Sequence, residues 1–289
     1  MNTQELLRRV RRIEIKTRRL SNHLFSGEYH SSFKGRGMAF SEVRKYEPGD
    51  DVRAIDWNVS AKLSEPYIKV FEEERELTVL LMVDVSGSED FGTHHQLKRE
   101  MITEICATLA FSAIQNQDKV GLLLFSDQVE KFIPPGKGRS HILRIIRELI
   151  EFKPEHRGTD IAEALRFSSG FMKRKAIAFL LSDFKDQNYG DALKIMAQKH
   201  DLSALRIYDP REEELPNLGL VPVTDPETGN TQWINTSSKK LRRRFEARHR
   251  QQVAYFGQVC RRSGIGRLEI RTDQSYVSKL LAYFKSRAK

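Results

Sequence analysis

Two apolar runs organise the chain: Leu77-Thr78-Val79-Leu80-Leu81-Met82-Val83 and Ala176-Ile177-Ala178-Phe179-Leu180-Leu181-Ser182. Near-continuous apolar runs of this length predict strands buried on both faces, as in a parallel sheet. Around them the pattern alternates. Helices are expected near 94–116, 139–151, 160–173 and 189–200, with strands at Val120–Phe125 and near 202–208. Only a short turn at Ser126-Asp127 separates Val120–Phe125 from Val129–Ile133. That is too little chain for a parallel crossover, so this pair is expected as an antiparallel hairpin at the sheet edge. The expected fold class is therefore α/β, a doubly wound and mostly parallel sheet with helices on both faces.

The flanks read differently. Residues 1–25 hold an amphipathic helix in which Leu6, Leu7, Val10, Ile13 and Leu20 alternate with arginines. Residues 26–76 are rich in Gly, charge and aromatics and read as a small β-rich subdomain: a flexible turn at Gly35-Arg36-Gly37 entering a strand, a Pro-Gly turn at Tyr46–Asp51, and a strand at Tyr67–Phe71. The α/β domain takes residues 77–289, with Pro210, Pro216, Pro222, Pro226 and Gly229 limiting 209–236 to a short hairpin near 215–236 that turns at Glu227–Asn230. A basic helix near 237–262, a strand at Arg267–Ile270 and a last helix from about 274 to 287 complete the chain.

The chemistry sits where the strands end. Asp84-Val85-Ser86-Gly87-Ser88 follows the first run and sets a carboxylate and two hydroxyls at i, i+2 and i+4 on one tight loop. Open α/β sheets place ligands at the carboxyl ends of their strands, and an oxygen-only donor set suits Mg²⁺ or Mn²⁺ rather than a thiol-loving metal. Arg157-Gly158-Thr159-Asp160 opens a helix, and Asp183 ends the second run. A β-to-α turn capped by Ser or Asp would present the same loop. Taken in order, Asp84, Ser86, Ser88, Thr159 and Asp183 resemble the metal-ion-dependent adhesion site of von Willebrand factor A domains. That resemblance implies a cation on the hydroxyls of Ser86, Ser88 and Thr159, with Asp84 and Asp183 holding metal-bound waters, and one position open to a partner's carboxylate. Where many such sites place Met after the second Ser, this chain has Glu89 and Asp90. Those acids attract a cation and repel an acidic partner, or cap the next helix.

Composition narrows the classes. No stretch is long and apolar enough to cross a bilayer and the start through Leu20 lacks a signal-peptide core, so a cytoplasmic location is expected. Cys106 and Cys260 lie in helical segments with no Cys-x-x-Cys pair and are expected as buried thiols. The formal net charge is +10, concentrated in stripes at 8–19 and 239–250, each with seven basic residues and one acid. Each stripe is the solvated face of a docked helix, a steering surface for an acidic partner, or a site for nucleic acid or anionic lipid. Neither is interleaved with aromatics as a base-stacking surface would be.

Gly35-Arg36-Gly37, Arg44-Lys45-Tyr46, Pro48-Gly49-Asp50-Asp51-Val52-Arg53, Ile55-Asp56-Trp57 and Ala61 resemble the signature of the bacterial domain of unknown function 58 family, followed at the usual distance by its von Willebrand A-like portion. The resemblance implies an accessory protein, an adaptor or co-chaperone acting beside a MoxR-type AAA+ ATPase or its client. Many relatives carry membrane helices ahead of this block; none is found here.

A non-enzymatic, metal-dependent binding module is the expected function. The alternatives are a metal-dependent phosphoesterase or nuclease, which needs more carboxylates and a positioned base, and a basic nucleic-acid-binding protein. His94, His95 and His156 are near in sequence but read as cap or loop residues. Asp50, Asp51, Arg53, Asp56 and Trp57 form a second candidate partner-binding surface or a buried ion-pair lock. Arg242, Arg243 and Arg244 are the candidate steering arginines.

Overall fold

Every residue from Val79 to Asp84 and from Ile177 to Ser182 is buried. Successive strand side chains point to opposite faces, so helices must cover both sides of the sheet. A computed structural model of the chain describes residues 5, 8, 10–17, 38–73, 77–90, 97–224 and 229–287. It divides into two units, Phe33–Glu76 and the remainder.

In the larger unit, helix α1 is described over 10–17. Glu14 pairs with Arg139 at 2.6 Å and Lys16 with Glu104 at 2.6 Å, while Thr17 is buried. Arg8, Arg11 and Arg12 are exposed, so the described part of this stripe is a docked helix with a solvated basic face.

The small unit consists of strand β1 (Met38–Lys45), helix α2 (Trp57–Leu63) and strand β2 (Tyr67–Glu73), with β1 and β2 antiparallel. The helix was missed in the β-rich reading. Asp56 caps it, accepting from the Asn58 and Val59 amides, and it ends at Ser64 in the left-handed region. The Gly35-Arg36-Gly37 turn and the helical reading over 18–25 lie outside the described residues.

The larger unit continues with β3 (Thr78–Asp84), α3 (Lys98–Gln115), β4 (Lys119–Phe125), β5 (Val129–Gly136), α4 (Arg139–Glu151), α5 (Ile161–Phe171), β6 (Ile177–Ser182), α6 (Gly190–Lys199) and β7 (Asp201–Tyr208). After the hairpin β8 (Leu220–Thr224) and β9 (Thr231–Asn235) come α7 (Lys239–Ser263), β10 (Gly266–Arg271) and α8 (Tyr276–Arg287). The six-stranded sheet runs β10-β7-β6-β3-β4-β5, parallel except for the β4–β5 hairpin at its edge. The expected α/β class and the antiparallel edge are both present. Cys106 and Cys260 are buried free thiols.

Strand order positions the site. From β3 the chain moves outward to β4 and β5, whereas from β6 it moves the opposite way to β7 and β10. The neighbours β3 and β6 thus form the switch point, where diverging connections leave a crevice at the carboxyl ends of the strands. Asp84 closes one of these strands and Asp183 follows the other.

Candidate metal centre

The loop after β3 folds back at once. The Ser86 amide donates to Asp84 Oδ1 at 2.9 Å, and the Glu89 amide donates to the Ser86 carbonyl at 3.0 Å inside a 3₁₀ turn, Gly87–Asp90. This brings the Ser86 and Ser88 hydroxyls to 3.2 Å from each other, both buried. Ser182, the last residue of β6, donates its hydroxyl to Asp84 Oδ2 at 2.6 Å and accepts from the Phe184 amide at 3.0 Å. Phe184 is held at φ +56, a region that disfavours side chains with a Cβ. Its ring is anchored against Phe256 and Tyr189 with centroids 4.4 and 5.8 Å away. Packing thus fixes the turn that presents Asp183.

The third segment is tied in by its backbone. The Gly87 amide donates to the Arg157 carbonyl at 3.0 Å, and the Asp160 amide to the Ser126 carbonyl at 2.8 Å. Glu130 accepts from the His156 amide at 2.9 Å and from the Ser126 hydroxyl at 2.7 Å, so His156 belongs to a structural loop. Thr159, half-buried, rides on this segment, and Asp160 caps α5 through the Glu163 amide. His94 and His95 lie outside the described residues.

Asp84, Glu89 and Asp183 are each at most 2% exposed, and one carboxylate oxygen from each lies within 4.8 Å of the others. Sequence reasoning missed the cations beside them. Lys98, fully buried at the start of α3, places its ammonium 2.9 Å from Asp183 Oδ2, 2.9 Å from Glu212 Oε1 and 3.9 Å from Glu89 Oε2. Lys185 reaches the same Asp183 and Glu212 oxygens at 3.0 and 3.1 Å. The Arg206 guanidinium donates to the Asp183 carbonyl at 3.3 Å and pairs with Glu269 at 3.1 Å. The hints in the sequence were Lys185, two residues after Asp183, and a lysine opening a helix most of whose residues are buried. Glu89 sits in the 3₁₀ turn, nine residues before α3 begins, with its carboxylate 3.9 Å from the ammonium of Lys98, the first residue of that helix.

Among the described residues, four carboxylates (Asp84, Glu89, Asp183 and Glu212) against two ammoniums (Lys98 and Lys185) leave this cluster two formal negative charges in excess. Burial and the neighbouring Asp183 push Asp84 up to about 6, and burial pushes Glu89 well above the usual range against the pull of Lys98. Burial acts on Asp183 in the same sense, yet Lys98 and Lys185 overcome it and hold that acid far below its ordinary value. Lys98 likewise stays charged despite burial because Asp183, Glu89 and Glu212 surround it. A divalent cation among hydroxyl and carboxylate oxygens would supply the missing charge, so the residues present fit Mg²⁺ or Mn²⁺.

The second candidate surface is built otherwise. Asp50 takes a bidentate pair from Arg44 at 2.9 and 2.7 Å, Asp51 accepts from the Arg53 amide, and Asp56 caps α2 with Lys69 at 3.5 Å. None of the five is buried, so the buried ion-pair lock is not what they form; Trp57 is 69% exposed. In the basic stripe of α7, Arg242 donates to the Thr236 carbonyl at 2.6 Å, whereas Arg243 and Arg244 are exposed.

The sequence model of a family described as "Protein of unknown function DUF58" matches residues 42–255. An uncharacterized protein of Mycobacterium tuberculosis is 30% identical over 284 residues, spanning 96% of this chain and 88% of its own length. The uncharacterized protein YeaD of Bacillus subtilis is 29% identical over 122 residues, 42% of this chain and 27% of that one. Among solved structures, the conserved hypothetical protein BatB of Bacteroides thetaiotaomicron aligns at TM-score 0.48 and 19% identity over 73% of this chain and 98% of that chain. A von Willebrand factor type A structure from Catenulispora acidiphila aligns at TM-score 0.40 and 12% identity, over 77% and 44%.

Proposed function

We propose, from the premise that this chain belongs to the DUF58 family, that it is a non-enzymatic protein-binding module working through a divalent cation. The cation, Mg²⁺ or Mn²⁺, would be held by Asp84, Ser86, Ser88, Thr159 and Asp183 and would take a carboxylate from a partner. Its chemistry there is attraction of an acidic oxygen ligand. The observation that carries this reading is the buried set of carboxylates within 4.8 Å of one another beside two hydroxyls 3.2 Å apart, at the sheet's switch point.

The family resemblance points to a MoxR-type AAA+ ATPase, or its client, as the partner, and a cytoplasmic location belongs to the same proposal. Among the described residues no helix is long and apolar enough to cross a membrane. Steering towards an acidic partner falls to Arg243 and Arg244, since Arg242 is tied to its own chain.

The test is calorimetry of Mg²⁺ binding to chelator-treated protein, followed by pull-down from cell extract with and without EDTA. One site that Asp84→Ala abolishes, and an AAA+ protein recovered only without EDTA, are the expected results. A titration unchanged in Asp84→Ala overturns the metal assignment. Recovery indifferent to EDTA overturns the metal-bridged mechanism.

A further inference from the structure

We infer that Glu89, outside the adhesion-type residue set, is itself a ligand of the cation at this site, so that the chain supplies from its own loop a carboxylate for the position left to a partner. The inference rests on the cation site proposed above.

Glu89 is 1% exposed, and among the described residues neither of its carboxylate oxygens has a hydrogen-bond partner. Among the described residues the nearest cationic group, the Lys98 ammonium, stands 3.9 Å away, beyond hydrogen-bond range. That ammonium is already engaged by Asp183 and Glu212 at 2.9 Å each. A buried carboxylate with one distant counter-charge and no hydrogen bond is poorly compensated, a condition folded proteins seldom tolerate without a bound ion or water. The other carboxylates of the cluster are more closely held: Glu212, whose oxygens likewise make no hydrogen bond among the described residues, has the Lys98 and Lys185 ammoniums at 2.9 and 3.1 Å. Both Asp84 oxygens accept hydrogen bonds, from Ser86 and Ser182, and Asp183 is held by two lysines.

The placement is that of a ligand. Glu89 directly follows Ser88, and the 3₁₀ turn carries its carboxylate into the group it forms with Asp84 and Asp183, where one oxygen of each lies within 4.8 Å of the others. Opposed oxygens around one divalent ion bound at about 2.0–2.6 Å stand about 4–5 Å apart. A small cavity lined by Val83, Asp84, Val85, Glu89, Arg99 and Ile102 adjoins both carboxylates. Lys98 and Lys185 offset the charge of Asp183, so the attraction for a cation that is not already balanced lies between Asp84 and Glu89. A partner carboxylate then reaches the metal by displacing Glu89.

Glu89→Gln keeps the shape and removes the charge. The probe is Mn²⁺ alone, titrated by calorimetry and by the loss of the free-ion paramagnetic resonance signal, beside melting in EDTA. The expected result is at least a tenfold weaker Mn²⁺ affinity, with a melting temperature in EDTA equal to or above that of the unsubstituted protein. Mn²⁺ affinity within twofold of the unsubstituted protein overturns the inference, as does a fall in the EDTA melting temperature with affinity unchanged, which marks Glu89 as a counter-ion of Lys98. If the glutamine variant does not fold, Glu89→Ala, which opens the site further into the adjoining cavity, is read by the same criteria. Absence of Mn²⁺ binding to the unsubstituted protein would instead sink the cation site itself; binding lost in Asp84→Ala but kept in Glu89→Gln sinks the role of Glu89 alone.

Discussion

Around residues 44–57, Asp50, Asp51 and Asp56 lie in contact with solvent and each accepts from backbone amides of its own turn, whereas Asp84, Glu89 and Asp183 at the strand ends are each at most 2% exposed. The first group shapes its surroundings: its hydrogen bonds start helices and close turns, and Arg44 balances Asp50. The second group is shaped by its surroundings, since the sheet and α3 hold it out of water whether or not its charge is balanced. Acids in sequence proximity thus tell little about function, while acids brought together by distant segments at a switch point tell a great deal. The buried cluster is itself divided. Its Asp183 side is neutralised by lysines, and its Asp84 and Glu89 side is not.

The sharpest way to break this contrast is to remove the internal cation. Lys98→Met leaves Asp183, Glu89 and Glu212 buried around an apolar chain, and breaking a buried ion pair from one side costs about 3–5 kcal/mol. Urea unfolding at neutral pH in EDTA should show a loss of that order. A loss below about 1 kcal/mol would mean that the cluster is not electrostatically tense and that its Asp183 side is not held by the lysines.

A second measurement sharpens the other side. Asp84 holds its proton up to about pH 6 when folded and metal-free, above its ordinary value of 3.8, chiefly because of burial. Between those two values the folded chain binds the proton that the unfolded chain releases, so this acid makes stability fall as pH rises. Asp84→Asn does not titrate. Its stability in EDTA relative to the unsubstituted protein should therefore climb from about pH 4 to about pH 6 and then level off. Saturating Mg²⁺ should erase that climb, because a bound cation keeps Asp84 ionised. A pH-independent difference would show that Asp84 titrates normally.

How much of this was legible in the sequence follows from distance along the chain. Strands β3 and β6 were readable because burial on both faces leaves a continuous apolar run, and the Asp84–Ser88 loop because its donors are adjacent. Helix α2 was not, because its seven residues show no clear apolar period and Asp56 looked like part of an acidic cluster instead of a cap. Lys98 and Glu212 escaped because their relation to Asp183 exists only once α3 and the segment after β7 have packed, whereas Lys185, two residues after Asp183, was in view and passed over. Glu89 was in view, but its burial and its place beside Asp84 and Asp183 were not, because both depend on how α3, which starts at Lys98, packs over the turn.

The smallest effect tests the surface group. Asp56→Ala removes the cap of α2 and the acceptor for two amides that water can reach instead. A modest drop in melting temperature is expected, well short of that for Lys98→Met, and it should be the same with Mg²⁺ as with EDTA. The equality matters more than the size. Asp56 belongs to the smaller unit and gives its carboxylate to its own helix and to Lys69 of the same unit, so its effect is expected to be independent of the charge of the strand-end cluster. If Asp56→Ala alters the Mg²⁺-induced stabilisation, the two groups of acids are energetically coupled, and the block around residues 50–57 shares in metal binding instead of merely shaping its own turns.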